Sequence, residues 1–416
     1  EKTVDQSFWL VYFLTFTARE AFVVLSFIAI TMANPTPTNE AALHAVSDGA
    51  NQFSSSLFQV YFTKAIIDEN KGNLITSPLS VDVVLAMAAA GSGGETEKQF
   101  NSVLHLPSDL SVTKSGYQSL IDQLNNVEDV ELRLANKIYV SKDISIKPSY
   151  KELTENYFRS TTQTVDFSKS AEAANTINTW VKGETRNRIS EIVTPDLDAL
   201  TALVLLNAVY FKGQWKNKFN AQLTKDMPFH VNANTVKNVP TMYRQGDYKY
   251  GDLPSINSKF VEIPYQGNQL SMVIILPNEI DGLAQVEHKL QNMNLGEILS
   301  QGYERKVELY LPKFKIESKV NLEEVLKKLG LTNMFTDRAN FSGIADGNMA
   351  VSKVIQKAFI EVNEEGSEAA AVTGKYYNIN SIIIHTYILY KFICYIKRVI
   401  VFYSHIRPAM HKHHCK

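Results

Sequence analysis

The sequence predicts one large α+β domain, and three observations predict it. A capped helix, apolar nearly all round, starts at Ser77; strand patterns of two kinds follow between Leu203 and Leu311; and neither a repeat nor an interdomain linker interrupts residues 50–374. The chain has 416 residues, 45% hydrophobic and 20% charged, enough to bury a sizeable core, and 21 Phe with 19 Tyr exclude disorder for its bulk. A formal net charge of −1 gives no electrostatic reason to expect nucleic acid. Two cysteines exclude a disulfide framework and any four-cysteine zinc module.

At the front, Ala21 to Thr31 is an apolar run preceded by Arg19, and Thr31-Met32-Ala33 is a small-x-small cleavage candidate before Asn34 and Pro35. This is the layout of a secretory signal peptide over residues 1–33 or of an over-extended N-terminal reading. The competing reading, a membrane span from Phe8 to Ala33, would place Arg19 and Glu20 near its middle, which costs a few kcal/mol each. The expectation is therefore a secreted, extracellular protein without a membrane anchor, its mature domain starting near Ala42 after a Pro-Thr linker.

Ser77-Pro78 opens a helix with Ser as N-cap and Pro at the first helical position. Val81, Val83, Val84, Leu85, Met87 and three alanines continue it to Gly91, so it should be buried on every side. Leu203 to Phe211 is a continuous buried strand whose one strongly polar member is Asn207. Phe260–Tyr265 and Leu270–Leu276 flank Gln266-Gly267-Asn268-Gln269, a hairpin turn. Val307, Leu309 and Leu311 alternate with Glu308 and Tyr310 as in a half-exposed strand. Leu322, Val325, Leu326 and Leu329 take helical spacing before Gly330, a C-cap.

Catalytic signatures are scarce. There is no nucleophile elbow, paired-histidine zinc motif or phosphate loop, and the body histidines His44, His105, His230 and His288 are scattered. The expectation is a protein that is not an enzyme and needs no cofactor or metal.

The unusual stretch is Glu361 to Gly374, rich in small residues. Alanine and glutamate would suit a surface helix or linker. Yet Ser367, Ala369, Ala371 and Thr373 fall on one alternating face, and such a segment fits between existing strands without clashing.

With this run in view, the body resembles the serpin family, most of all its insect members. The resemblance is carried by Asn73 with Ser77-Pro78-Leu79-Ser80, Gly91 to Thr96, Asn136 before Lys137-Ile138-Tyr139, and Ile177-Asn178 with Trp180-Val181. It continues through Asn207-Ala208-Val209-Tyr210-Phe211-Lys212-Gly213 with Trp215, Leu311-Pro312-Lys313-Phe314, and Phe341-Ser342-Gly343-Ile344, in order across roughly residues 50–374. The resemblance implies a serpin-like single domain, 42–374, with three β-sheets and eight to nine helices held in a metastable state. It also implies a suicide-substrate inhibitor: a protease cleaves an exposed loop, and the loop inserts into the main sheet while the enzyme is still covalently attached. The implied partner is a serine or cysteine protease, in a covalent 1:1 complex with a monomeric inhibitor. The alternatives are a non-inhibitory carrier or storage serpin, or an inactive truncated isoform.

Residue by residue, the resemblance makes Glu364, Glu365, Gly366, Ser367, Glu368, Ala369, Ala370, Ala371, Val372 and Thr373 the hinge of the reactive loop. It puts Ser77, Ser80 and Asn207 in a polar cluster beneath the opening sheet, with Gln356 where many relatives have His. Trp215 falls where the sheet opens, and Lys313 with Glu364 corresponds to an ion pair at the loop's base. No hinge position on the inserting face is bulky or charged, which favours the inhibitory class. Heparin-type cofactors find no support, since Leu106 to Leu124 contains only Lys114 as a basic residue. Asn340-Phe341-Ser342 is a glycosylation candidate.

After Gly374 the resemblance ends. Residues 375–416 hold seven Lys or Arg and no Asp or Glu, both cysteines, and five of the nine histidines, which leaves 35 basic against 43 acidic side chains, a net −8, in residues 1–374. Such a tail is what intron read-through yields; the alternative is a genuine end in which Phe392 to Tyr403 serves as a substitute strand or a sticky apolar segment. The last strands of the domain are accordingly missing or replaced. Counting fourteen residues on from Gly366 gives Asn380-Ser381 as the reactive bond, an assignment that holds only if the tail is real.

Overall fold

The computed structural model describes residues 22–31, 37–61, 73–127, 129–268, 270–290, 300–367, 390–393 and 396–407. Strand β1 (Phe22–Thr31) and helix α1 (Pro37–Tyr61) come first, then β2 (Ile75–Thr76) and α2 (Pro78–Ala89). In α2 the Ser77 side chain accepts a hydrogen bond from the Ser80 amide, Pro78 takes the first turn, and every residue from Pro78 to Ala89 is buried. A helix apolar all round has no solvent face to keep, so it becomes the centre of the core. Helix α1 lies against it through Leu43, Val46, Ala50, Phe53 and Leu57, the spacing of one helical face.

There follow α3 (Gly94–Val103), α4 (Leu110–Asn125), β3 (Val130–Ser141), α5 (Pro148–Phe158), β4 (Thr162–Val165), α6 (Ser170–Glu184) and β5 (Leu203–Gln214). After β5 come β6 (Lys225–Asn232), β7 (Thr235–Leu253), β8 (Ser258–Pro264) and β9 (Ser271–Pro277). The hairpin turn between β8 and β9 has Gly267 and Asn268 at φ 79° and 59°. Helix α7 (Leu283–Leu290), β10 (Tyr303–Pro312), β11 (Phe314–Asn321) and α8 (Glu323–Leu329) come next, α8 ending at Gly330 in the left-handed region, φ 113°. The chain closes with β12 (Val351–Val362), β13 (Gly366–Ser367), β14 (Tyr390–Ile393) and β15 (Ile396–Arg407). Eight α-helices thus stand among the described residues.

One sheet runs in the order β11-β12-β13-β5-β3-β4, the other β14-β10-β7-β8-β9-β1-β15-β2 with β6 on β7. The expected second and third sheets are joined here, because the long β7 pairs successively with β6, β10 and β8. Of the run expected as the leader's core, Phe22–Thr31 lies between β9 and β15, and residues 1–21 and 32–33 fall outside the described residues. From the tail, β14 pairs with β10 and β15 with β1 and β2.

The six-stranded sheet has a core on each face. Leu203, Leu205, Val209 and Phe211 of β5 point to the main core with α2, while Val204, Leu206 and Ala208 point to a smaller one under α6. A strand buried on both faces reads as a continuous apolar run, which is why Leu203 to Phe211 shows no alternation.

Candidate functional site

Strand register assembles the polar cluster. Asn207 of β5 lies directly opposite Asn136 of β3 on one side and Gln356 of β12 on the other. All three are buried beneath the first turn of α2, where an unpartnered amide costs about 1–3 kcal/mol. Each is satisfied. The Gln356 amide donates to Asn207 Oδ1 at 2.6 Å and to the Ser77 carbonyl at 3.0 Å, and its oxygen accepts from Thr76 Oγ1 at 2.5 Å and the Ser77 amide at 3.1 Å. Asn207 Nδ2 donates to Ser80 Oγ and, at 2.5 Å, to Asn136 Oδ1. Ser77, Ser80, Asn207 and Gln356 therefore meet. Thr76 and Asn136 join them; both were within reach of sequence reasoning, since Asn136 stands in a quoted motif and Thr76 precedes the N-cap.

Three residues further along β5, after Tyr210, β12 and β5 part. Beyond Phe359 and Tyr210 the parallel ladder between β12 and β5 stops, and β13 occupies the gap. The chain turns at Asn363, with Asn363 and Gly366 exchanging backbone hydrogen bonds at 2.9 and 3.2 Å, and returns antiparallel to both neighbours. Gly366 sits at φ 157°, and a Cβ there would come within 2.0 Å of the Gly213 carbonyl oxygen, so only glycine passes. Ser367 is fully buried, its hydroxyl 2.6 Å from Tyr265 Oη. Burial raises the Tyr265 phenol well above its ordinary range, so it serves as a neutral partner.

Trp215 anchors this corner. Its ring stacks on Tyr265 at 4.7 Å and 9°, meets Phe219 edge-on, and its indole N–H donates to the Asn363 carbonyl at 2.9 Å. The amides of Trp215 and Phe219 hold the carbonyls of Glu365 and Glu364, each at 2.9 Å. The Glu364 carboxylate is 2.9 Å from Lys313 Nζ and accepts from Thr224 Oγ1 at 2.8 Å; Glu365 pairs with Lys218. Partial burial alone would raise the Glu364 pKa, but the bonds from Lys313 and Thr224 outweigh it and hold the group below its usual range. Tyr265 is the residue sequence reasoning missed; it ends a predicted strand, and nothing in one sequence ties it to Ser367. Glu368 to Thr373 and the counted bond Asn380-Ser381 lie outside the described residues. Asn340 is exposed, and its side-chain oxygen accepts from the Ser342 amide at 3.1 Å.

This arrangement can hold the start of a small-residue segment at the mouth of a buried seam. A family model for "Serpin (serine protease inhibitor)" matches residues 48–393. The chain belongs to the serpin family. Among curated relatives it is 38% identical over 335 residues to Antichymotrypsin-2 of Bombyx mori, covering 80% of this chain and 88% of that one. It is 39% identical over 358 residues to Alaserpin of Manduca sexta, covering 84% and 88%. Among solved structures it is similar to Serpin48, described as a highly specific serpin in Tenebrio molitor, with TM-score 0.75, 33% identity, and 84% and 92% of the two chains covered.

Proposed function

We propose that this chain is a secreted inhibitor of a serine or cysteine protease that acts as a suicide substrate, a monomer forming a covalent 1:1 complex. One observation carries the reading: Gly366 and Ser367 already pair between β12 and β5, so the chain leaving the Lys313–Glu364 anchor is aimed into the seam where a new strand would go. On the face that Ser367 begins, the residues that follow are Ala369, Ala371 and Thr373, and a small residue costs least to bury between two strands that must close around it. Cleavage beyond the hinge would break one peptide bond, freeing a new amino end and leaving the loop's carbonyl bound to the protease as a serine ester or cysteine thioester. Residues from Glu368 onward would then zip down beside β5, gaining backbone pairing that the exposed loop lacks. The inhibitory names of relatives such as Antichymotrypsin-2 support the same reading. In this reading residues 1–33 are removed on secretion, 42–374 form the working domain, 375–416 are an aberrant tail, and Asn340 carries a glycan.

The experiment is incubation of the secreted protein with a panel of serine and cysteine proteases, followed by denaturing gel electrophoresis. A complex that survives denaturation supports inhibition. Cleavage without a complex, and with no gain in thermal stability, would make the chain a carrier or storage serpin or an inactive isoform. A tryptic map of the same sample reads the end: recovery of the peptide Tyr376–Lys391 makes the tail a genuine part of the protein, and the bond Asn380-Ser381 then becomes the cleavage site to look for.

A further inference from the structure

A new strand between β5 and β12 has to pass beneath α6. Ala173, Ala174, Ile177 and Val181 of that helix, with Ile189, Ile192, Val193 and Leu197 of the segment after it, cover Tyr139 and Ala135 on β3, Leu206 and Ala208 on β5, and Ile355 and Phe359 on β12. Helix and return segment are tied to each other. Asn178 accepts from the amides of Ile192 and Val193 at 2.8 and 3.1 Å and donates to the Val193 carbonyl at 2.8 Å. The cover therefore bridges the seam as one body, and insertion requires that body to lift.

Beneath it sits an ammonium group. Lys137 of β3 is only 8% exposed, and its Nζ lies 5.3 Å from the ring centroids of both Tyr139 and Trp180, which meet edge-on at 6.1 Å. Among the described residues no hydrogen bond or ion pair reaches this nitrogen; Glu184, at the end of α6, acts on it from longer range. The Tyr139 hydroxyl beside it is buried and has no partner among the described residues. Two aromatic faces replace only part of the hydration a primary ammonium gives up. In agreement, burial holds the Lys137 pKa below its ordinary value despite Glu184.

We propose that Lys137 is a positioning residue for loop insertion: its partly desolvated ammonium keeps α6 loosely seated, because lifting the helix completes the hydration of the charge. The inference rests on the insertion reading above. An apolar side chain of similar length at this position, such as Met, would gain contact with both rings and seat the helix more firmly. Slower lifting gives the protease time to hydrolyse its acyl bond and leave, so more inhibitor is consumed as plain substrate.

The test uses the full chain as wild type, Lys137→Met, Lys137→Gln and Lys137→Arg. The first readout needs no protease: hydrogen exchange of the amides of residues 170–184 in the uncleaved protein. Lys137→Met and Lys137→Gln are expected to slow exchange there about three- to tenfold, the scale set by one or two cation–π contacts against lost hydration, with exchange in α2 and β9 unchanged. Lys137→Arg, which keeps the charge, is expected to stay near wild type. The second readout is stoichiometry of inhibition, expected to rise at least about twofold for Met and Gln and not for Arg. Equal or faster exchange in α6 for both neutral variants would overturn the proposal and make the cage a clamp. A uniform change across the whole protein would do the same and leave Lys137 a packing residue. If wild type forms no denaturation-resistant complex with any protease, the inhibitor reading fails, while the exchange result still decides what Lys137 does to the helix.

Discussion

Replacing Asp82 with Asn is predicted to make the protein more stable at pH 8 and no more stable at pH 4.5. Asp82 sits inside α2, fully buried. One carboxyl oxygen accepts the Tyr117 hydroxyl from α4 at 2.6 Å, and the other has no partner among the described residues. Burial pushes its pKa from 3.8 up to about 7, the bond from Tyr117 offsetting only part of the effect. The folded state therefore holds a proton that the unfolded chain releases. Its stabilising share is fully present below about pH 3.8, falls as pH rises toward 7, and is flat above. At 1.36 kcal/mol per unit this loss comes to about 4 kcal/mol. Asn keeps the acceptor for Tyr117 and cannot ionise, but its amide N–H group finds no acceptor and gives back about 1–2 kcal/mol. The net expectation is a gain of about 2–3 kcal/mol at pH 8, or about 3 °C in Tm, shrinking to zero or a small loss at pH 4.5. Thermal melts of both proteins across pH 4.5–8 measure it. A Tm difference that does not change with pH would refute the reasoning, since it would mean that Asp82 is ionised in the folded state throughout.

Three further outcomes follow from the site. Ser367→Glu buries a carboxylate against Tyr265 at a cost of several kcal/mol, so a protease should cleave this variant without forming a complex; a complex at wild-type yield would show that the sheet can hold a charge at position 367. Gln356→His can restore no more than two of the four hydrogen bonds that Gln356 makes, so a loss of at least about 2 kcal/mol in urea unfolding is expected. A histidine buried there is neutral when folded, so stability should also fall as pH drops below about 6.5, a slope absent from the parent at this position. Lys313→Ala leaves Glu364 with Thr224 alone. Because the pair is half open to solvent it should lose no more than about 1 kcal/mol, but Trp215 fluorescence should shift at lower urea than in wild type while the rest of the transition stays put.

Much of the fold could be read directly from side-chain order. The α2 helix, β5, the β8–β9 hairpin, the alternation of β10 and the glycine after α8 each depend on residues close in sequence, where capping, periodicity and turn chemistry act. What stayed hidden depends on register. That Asn136, Asn207 and Gln356 stand in one row is a property of three strands drawn from distant parts of the chain, and no local pattern reports it. The same holds for Tyr265 against Ser367 and for Lys137 between two rings, where the partner is contributed by another element. β7 hid the joining of two sheets for a different reason: its Gly246 and Gly251 and its mix of exposed and buried positions break up the alternation that would mark a single long strand. The hinge was legible as a run of small residues, but only the sheet shows that Gly366 and Ser367 are already inside.

If insertion occurs as proposed, the row of three amides also marks where the main sheet would tear. β5 is stitched to β3 by an unbroken antiparallel ladder from Val130–Gly213 to Val140–Leu203, whereas its ladder with β12 is parallel, slips between Val351 and Lys353, and ends at Phe359. A sheet under tension parts along its weaker line of stitches, as perforated paper does, and parallel pairing is the weaker kind. Asn207 would then travel with Asn136 and release Gln356. Each half of the torn edge would carry one freed amide from the middle of the row, a pair of polar teeth facing each other across the opening and ready to grip the backbone of whatever strand slides between them.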